Sequence, residues 1–185
     1  MRPLLIGLLL TAAACSSALP VDEYAAAVQD LGREYEVETT ALQSSLHDQL
    51  QTEIRAMERD VDGDDPAAVA AFAEEALAVT ALRTRVFFAA VGDALGRYRG
   101  ALIVLDPPDD VAAAHRDFLT AIDAVLAGLP ELLDRLSAVT TFDDIDAAVN
   151  GSGYGDAQPR FSAACRALET ALRDTGTAAN VRCPS

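Results

Sequence analysis

Three kinds of side chain in this 185-residue chain have the type and spacing from which chemistry could be built: alternating aspartates, two histidines and three cysteines. Asp60, Asp62 and Asp64 alternate as the opening ligands of a calcium loop do, holding the ion through carboxylate oxygens. The pattern stops there. A calcium loop needs glycine at its sixth position and a bidentate glutamate at its twelfth, where this chain has Asp65 and Ala71. With Gly63 among them and Pro66 behind, the same aspartates have the composition of a turn that ends one helix and caps the next. His47 and His115 belong to no E-x-x-H pair of the di-iron type and to no C-x-x-C-H haem sequence. His115 lies instead on an apolar stripe between Val111 and Phe118, the place of a buried structural histidine. Cys15, Cys165 and Cys183 form no C-x-x-C motif, and no G-x-S-x-G marks a nucleophilic serine. We therefore expect no catalytic residue, no metal and no cofactor.

Acidic residues outnumber basic ones 29 to 14, for a formal charge of −15, and every basic residue is arginine. Such a surface keeps a protein soluble and repels nucleic acid and anionic lipid. The first residues are built differently. Arg2 is followed by the apolar run 4–10, then by small residues at 11–14 and by Cys15, the layout of an export signal. The run is far shorter than the roughly 20 residues that cross a ~30 Å hydrocarbon core. With its T-A-A-A-C sequence, the segment resembles the signal peptide of a bacterial lipoprotein, although Ala12 stands where that family prefers leucine.

The resemblance implies that residues 1–14 are removed, that Cys15 is lipidated on sulfur as the new N-terminus, and that the protein is held outside the cytoplasm on a membrane. Ordinary cleavage after Ala14, giving a secreted soluble protein, is the alternative. With Cys15 taken by lipid, Cys165 and Cys183 remain as one pair in an oxidising compartment, closing a loop that stabilises by about 3 kcal/mol. Two unpaired buried thiols are the other possibility. Loss of Arg2 leaves 13 basic residues against 29 acidic ones, a mature charge of −16.

The remaining elements are helical. After a tether at 15–21, Asp22 is placed to cap a helix whose apolar positions are Tyr24, Val28, Leu31, Tyr35, Leu42, Leu46, Leu50, Ile54, Met57 and Val61. Steps of three and four, with Thr39 filling the one gap, predict a single helix of about 40 residues. A second helix, from Pro66 to about Val104, carries two apolar stripes and therefore two neighbours. Gly92, Gly96 and Gly100, one turn apart, predict close packing of its backbone, and Arg83, Arg85, Arg97 and Arg99 predict ion pairs with adjacent helices. A third helix begins at Asp109 and runs to about Val139, with a kink or break near Gly128 and Pro130. Thr141 caps a short helix at 142–149. A glycine-rich loop at 150–156 precedes a last helix at about 157–175, which Gly176 ends.

The pattern predicts an all-α fold, an antiparallel up-and-down four-helix bundle with a long first hairpin and a short extra helix before the last. Residues 22–185 make one domain of this kind. The function this favours is that of a lipid-anchored envelope protein acting by interaction, with the membrane reached through Cys15 and a protein partner in the envelope. The alternative is a small-ligand carrier with a pocket near the Gly128 to Pro130 kink, lined by Phe118, Ile122 and Leu133.

Overall fold

A computed structural model describes residues 18–59 and 61–183. Cys15 and Asp60 lie outside the described residues, so the lipidation position and the first aspartate of the acidic turn are not placed. Within them the chain is all helical: α1 is Val21–Glu58, α2 Pro66–Leu102, α3 Asp109–Leu136, α4 Phe142–Asn150 and α5 Gly153–Asp174. No strand occurs among the described residues.

The helix ends follow local chemistry, with two corrections. The α1 helix starts one residue before Asp22, behind Pro20, and has no side-chain cap. Asp22 instead accepts a hydrogen bond from Thr177 Oγ1 at 3.1 Å, far along the chain. In the acidic turn, Asp62 accepts the N–H of Asp64 and Asp65 accepts that of Ala67, so those carboxylates satisfy backbone donors as a helix turn requires. Thr141 and Asp144 form a reciprocal capping box at the start of α4. The second correction concerns the glycine-rich stretch, in which only residues 151–152 separate α4 from α5. Ser152 caps Gly155, and the Glu131 carboxylate accepts the Gly153 N–H at 3.0 Å, so two acceptors supply the donors of an early first turn.

The α3 helix passes through Pro130 without a break. Proline removes one rung of the ladder, but Leu129 and Leu132 on either side are buried and hold the helix to its neighbours. Gly128 explains the close fit. A Cβ there would fall inside the backbone of Gly153 and Tyr154, so α3 and α5 touch backbone to backbone. Of the three glycines of α2, only Gly92 has a close neighbour, and it is a side chain, with Leu129 Cδ1 at 2.6 Å from a Cβ position, while Gly96 and Gly100 face open space.

The main core lies at the end of the molecule where α1 begins. Tyr24, Val28, Leu95, Leu102, Val111, Phe118, Ile122, Leu168 and Leu172 meet there, contributed by all four long helices. Arg83 pairs with Glu53, Arg97 with Glu38 and Arg99 with Asp123, each across two helices. After Gly32 no described residue of α1 is buried, and on α2 Val69, Leu82 and Val86 are exposed. The far half of the hairpin is therefore thinly covered: Phe88 of α2 packs on a smaller cluster of Leu129, Leu132, Leu136 and Ala148, and the second stripe of α2 is incompletely partnered.

Candidate ligand cleft between the first and last helices

Three seams of the molecule are packed helix against helix, α1 on α2, α2 on α3 and α3 on α5. The fourth, between α1 and α5, is bridged by residues 177–183. Gly176, at φ 88, reverses the chain after α5 and sends it between the two helices. Ala179 and Val181 are buried there. Gly32 makes room for them, since a Cβ on Gly32 would lie 2.5 Å from the Val181 carbonyl oxygen. On the α1 side Gln29 Nε2 donates to the Ala178 carbonyl at 3.4 Å and Arg182 reaches Glu36 at 3.5 Å. On the α5 side Cys165 and Cys183 are joined by a disulfide, with Cα atoms 5.5 Å apart. A bond from Cys183 to Cys165 by itself requires only that the tail lie along the end of α5. It docks on α1 as well, because Gly32 opens a slot that the apolar periodicity of α1 does not advertise.

Past this bridge the seam stays open. An inner cavity of about 220 Å³ is lined by residues from all four long helices: Tyr35, Thr39 and Gln43 of α1, Phe87 and Leu95 of α2, Val125 of α3, and Tyr154, Gln158 and Phe161 of α5. Adjoining it at Tyr35 and Thr39 is a groove of about 550 Å³, termed here the mouth, which adds Glu36, Arg166, Glu169, Asn180, Arg182 and Cys183. Leu95, Val125 and Phe161 are almost wholly buried and form an apolar floor. Tyr35 is fixed as a wall by stacking on Tyr98, with centroids 5.1 Å apart and planes at 13°. Burial, then the nearby Tyr154 and Glu38, push the Tyr35 hydroxyl up to about 12. Burial also raises Tyr154, which Gln158 partly offsets by hydrogen bonding. Both phenols therefore remain neutral near pH 7 and offer polar contacts without charge. An apolar floor with a few convergent polar groups at its edge is the usual build of a small-molecule site.

The histidines and cysteines stand elsewhere. Tyr24 OH lies 2.6 Å from His115 Nδ1, both side chains being buried. Burial raises Tyr24 and lowers His115, so the pair is neutral. We assign the bond with Tyr24 donating, which puts the imidazole proton on Nε2. The pair ties the start of α1 to the start of α3. His47 is exposed on α1 and bonds Gln51. Phe118 and Ile122 occupy the packed core, at 1% and 0% exposure, Phe118 stacked on Phe161. Leu133 is half-buried about three turns beyond Ile122 on α3. Phe118, Ile122 and Leu133 are not among the residues lining the cleft, because α3 keeps its close contact with α5 through the Gly128 region.

A second, larger groove of about 630 Å³ runs along α2 beside the α3 to α4 link, over Leu77, Ala78, Ala81, Leu82, Leu136 and Val139. It is walled by α2, the last residue of α3 and the link that follows, whereas the cleft draws on four helices. The cleft residues come from segments more than a hundred positions apart, which hides them in the sequence. Thr39, the single polar interruption in the apolar series of α1, is the one local signal. No protein-family model, no curated protein and no solved structure matches this chain.

Proposed function

We propose that this is a lipid-anchored extracytoplasmic protein that acts by binding, without chemistry of its own, and that the α1 to α5 cleft is its working part. The observation that carries the reading is the cleft itself, an apolar cavity floored by core residues and edged by neutral phenols, amides, two arginines and two glutamates. The side chains best suited to covalent chemistry have structural roles, Cys165 and Cys183 in a disulfide and His115 in a buried bond to Tyr24. The four long helices are read as an antiparallel up-and-down bundle. Support comes from contacts that run in opposite order along successive helices: Glu38 with Arg97 and Glu53 with Arg83, then Tyr98 with Phe118 and Gly92 with Leu129.

The anchor rests on the lipobox-like sequence ending at Cys15, and the geometry suits it. Leu19 N–H bonds the Asp106 carbonyl at 3.0 Å, so the tether leaves from the end of the molecule that holds the main core. The α1 helix, 38 residues and about 57 Å long, then carries the hairpin turn away from the membrane. A second reading, docking of an envelope protein, is favoured by the exposed Leu82 beside the groove on α2.

Two experiments test these proposals. The wild-type protein is expected in the detergent phase of a membrane extract and Cys15→Ser in the aqueous phase; equal partition of the two overturns the anchor. The neutral apolar dye phenylnaphthylamine is expected to bind the folded protein, and Thr39→Trp, which fills the sill of the cleft, to abolish that binding. Unchanged dye binding in a folded Thr39→Trp variant overturns the cleft.

A further inference from the structure

We propose that the cleft takes an amphipathic anion, with a compact apolar body in the inner cavity and a carboxylate-, phosphate- or sulfonate-like head held at the mouth by Arg166 and Arg182. The inference rests on the reading of the cleft as a ligand site and adds the class of ligand.

The mouth sets two arginines against two glutamates in a protein whose formal charge is −15. Arg166 and Arg182 both line it, one from α5 and one from the tail. The two carboxylates beside them are already engaged. Glu169 pairs with Arg173, and Glu36 is the partner of Arg182 at 3.5 Å, with both side chains about half exposed, 47% and 49%. An exposed pair of that length is weak and easily exchanged, whereas a planar or tetrahedral oxyanion meets a guanidinium through two parallel hydrogen bonds. Arg166 adds a second cation across the mouth, which Glu36 does not neutralise.

Arg182 is also the only described non-glycine residue with positive φ, at 59°. That conformation is unfavourable for a residue with a Cβ, and it persists because both flanks are fixed. Val181 is buried in the slot over Gly32, and Cys183 is bonded to Cys165. Strained backbone held by its surroundings is characteristic of ligand clamps. Here it sets an arginine beside the opening of the cavity.

The inner cavity limits the body. A closed apolar cavity of about 150 Å³ holds a benzene molecule, so about 220 Å³ suits a short alkyl chain or a small fused-ring system and is too small for a two-chain lipid. Inorganic phosphate, a head without a body, would leave the apolar floor uncovered.

The test uses two dyes that share one aromatic body, anilinonaphthalene sulfonate with an anionic head and phenylnaphthylamine without it, titrated into the folded protein. The sulfonate is expected to bind about tenfold more tightly or better. Arg166→Gln and Arg182→Gln are each expected to weaken the sulfonate about tenfold and to leave the neutral dye unchanged, the loss of a charge-assisted hydrogen bond. Arg182→Gly, which adopts the positive φ without strain, should lose the sulfonate preference to the same extent, and so separates the charge from the conformation. Octanoate is expected to displace both dyes and inorganic phosphate neither; displacement by phosphate alone would overturn the need for an apolar body. If both dyes bind equally, are blocked by Thr39→Trp and ignore the arginine variants, the anionic head is wrong and the cleft stands. If the arginine variants weaken both dyes alike, the arginines only hold the tail in place, which overturns the proposal. If Thr39→Trp changes neither dye, the cleft reading itself fails.

Discussion

Gly32→Ala offers the sharpest test of how the C-terminal tail is held. Alanine within a helix is favoured over glycine by about 0.5–1 kcal/mol, so on propensity alone this substitution in the middle of α1 stabilises. Its new Cβ, however, would sit 2.5 Å from the Val181 carbonyl oxygen and 3.4 Å from its carbon, both backbone atoms that cannot rotate aside. The tail has nowhere to go while Cys183 is bonded to Cys165. Overpacking of this kind costs about 1–3 kcal/mol, so the net expectation is a loss of about 1–2 kcal/mol in the disulfide-bonded protein. Cys183→Ser removes a link between residues 18 apart, worth about 3 kcal/mol in the chain-entropy account. In that background the freed tail moves off Gly32, and Gly32→Ala becomes neutral or slightly stabilising. Urea denaturation of the parent, the two single variants and the double variant, at constant m, therefore gives a coupling of about 2 kcal/mol. Additivity within about 0.5 kcal/mol, or a Gly32→Ala that stabilises the bonded protein, would refute the idea that the disulfide clamps the tail into the α1 slot.

The remaining glycines divide sharply: Gly128→Ala, aimed at the backbone of Gly153 and Tyr154, should cost about 3 kcal/mol or more, while Gly96→Ala, facing open space, should gain up to about 1 kcal/mol in thermal or urea melts. The buried His115 supplies a pH dependence. Because burial holds its pKa below the ordinary 6.5, the unfolded chain binds a proton there that the folded chain refuses, so stability is complete above pH 6.5 and falls as pH drops through it. The slope is about 1.4 kcal/mol per pH unit until the folded pKa is reached. His115→Gln, which keeps an acceptor for Tyr24, should abolish the slope, and equal slopes in both proteins would exclude His115 as its source. The window is clean, since Glu53, Asp123, Glu131 and Asp144, all lowered by their hydrogen bonds, lose their contributions only below their ordinary values of 3.8–4.5.

Much of the local architecture is legible in the residues alone. Apolar steps of three and four mark α1, Asp65 and Pro66 begin α2, Thr141 begins α4, and Arg83, Arg97 and Arg99 of α2 find acids on adjacent helices. These features depend on neighbours within a turn or two, or on charges that any adjacent helix supplies. The start of α5 is not legible in the residues, because glycines alone have the composition of a loop, and only the distant Glu131 and Gly128 reveal why they continue a helix. The lipobox-like segment is likewise a matter of sequence, since its layout requires no fold.

The cysteine count, read with the resemblance at Cys15, already pointed to a Cys165 to Cys183 pair, but not to what that bond holds. Where the tail lies, which seam stays open and which side chains edge it depend on contacts between Gly32 and Val181, Tyr35 and Tyr98, and Gly128 and Tyr154. Helical periodicity specifies which face of a helix is apolar. It does not specify how far two such faces stand apart, because that distance is decided by single small residues and by a strap that arrives from the other end of the chain.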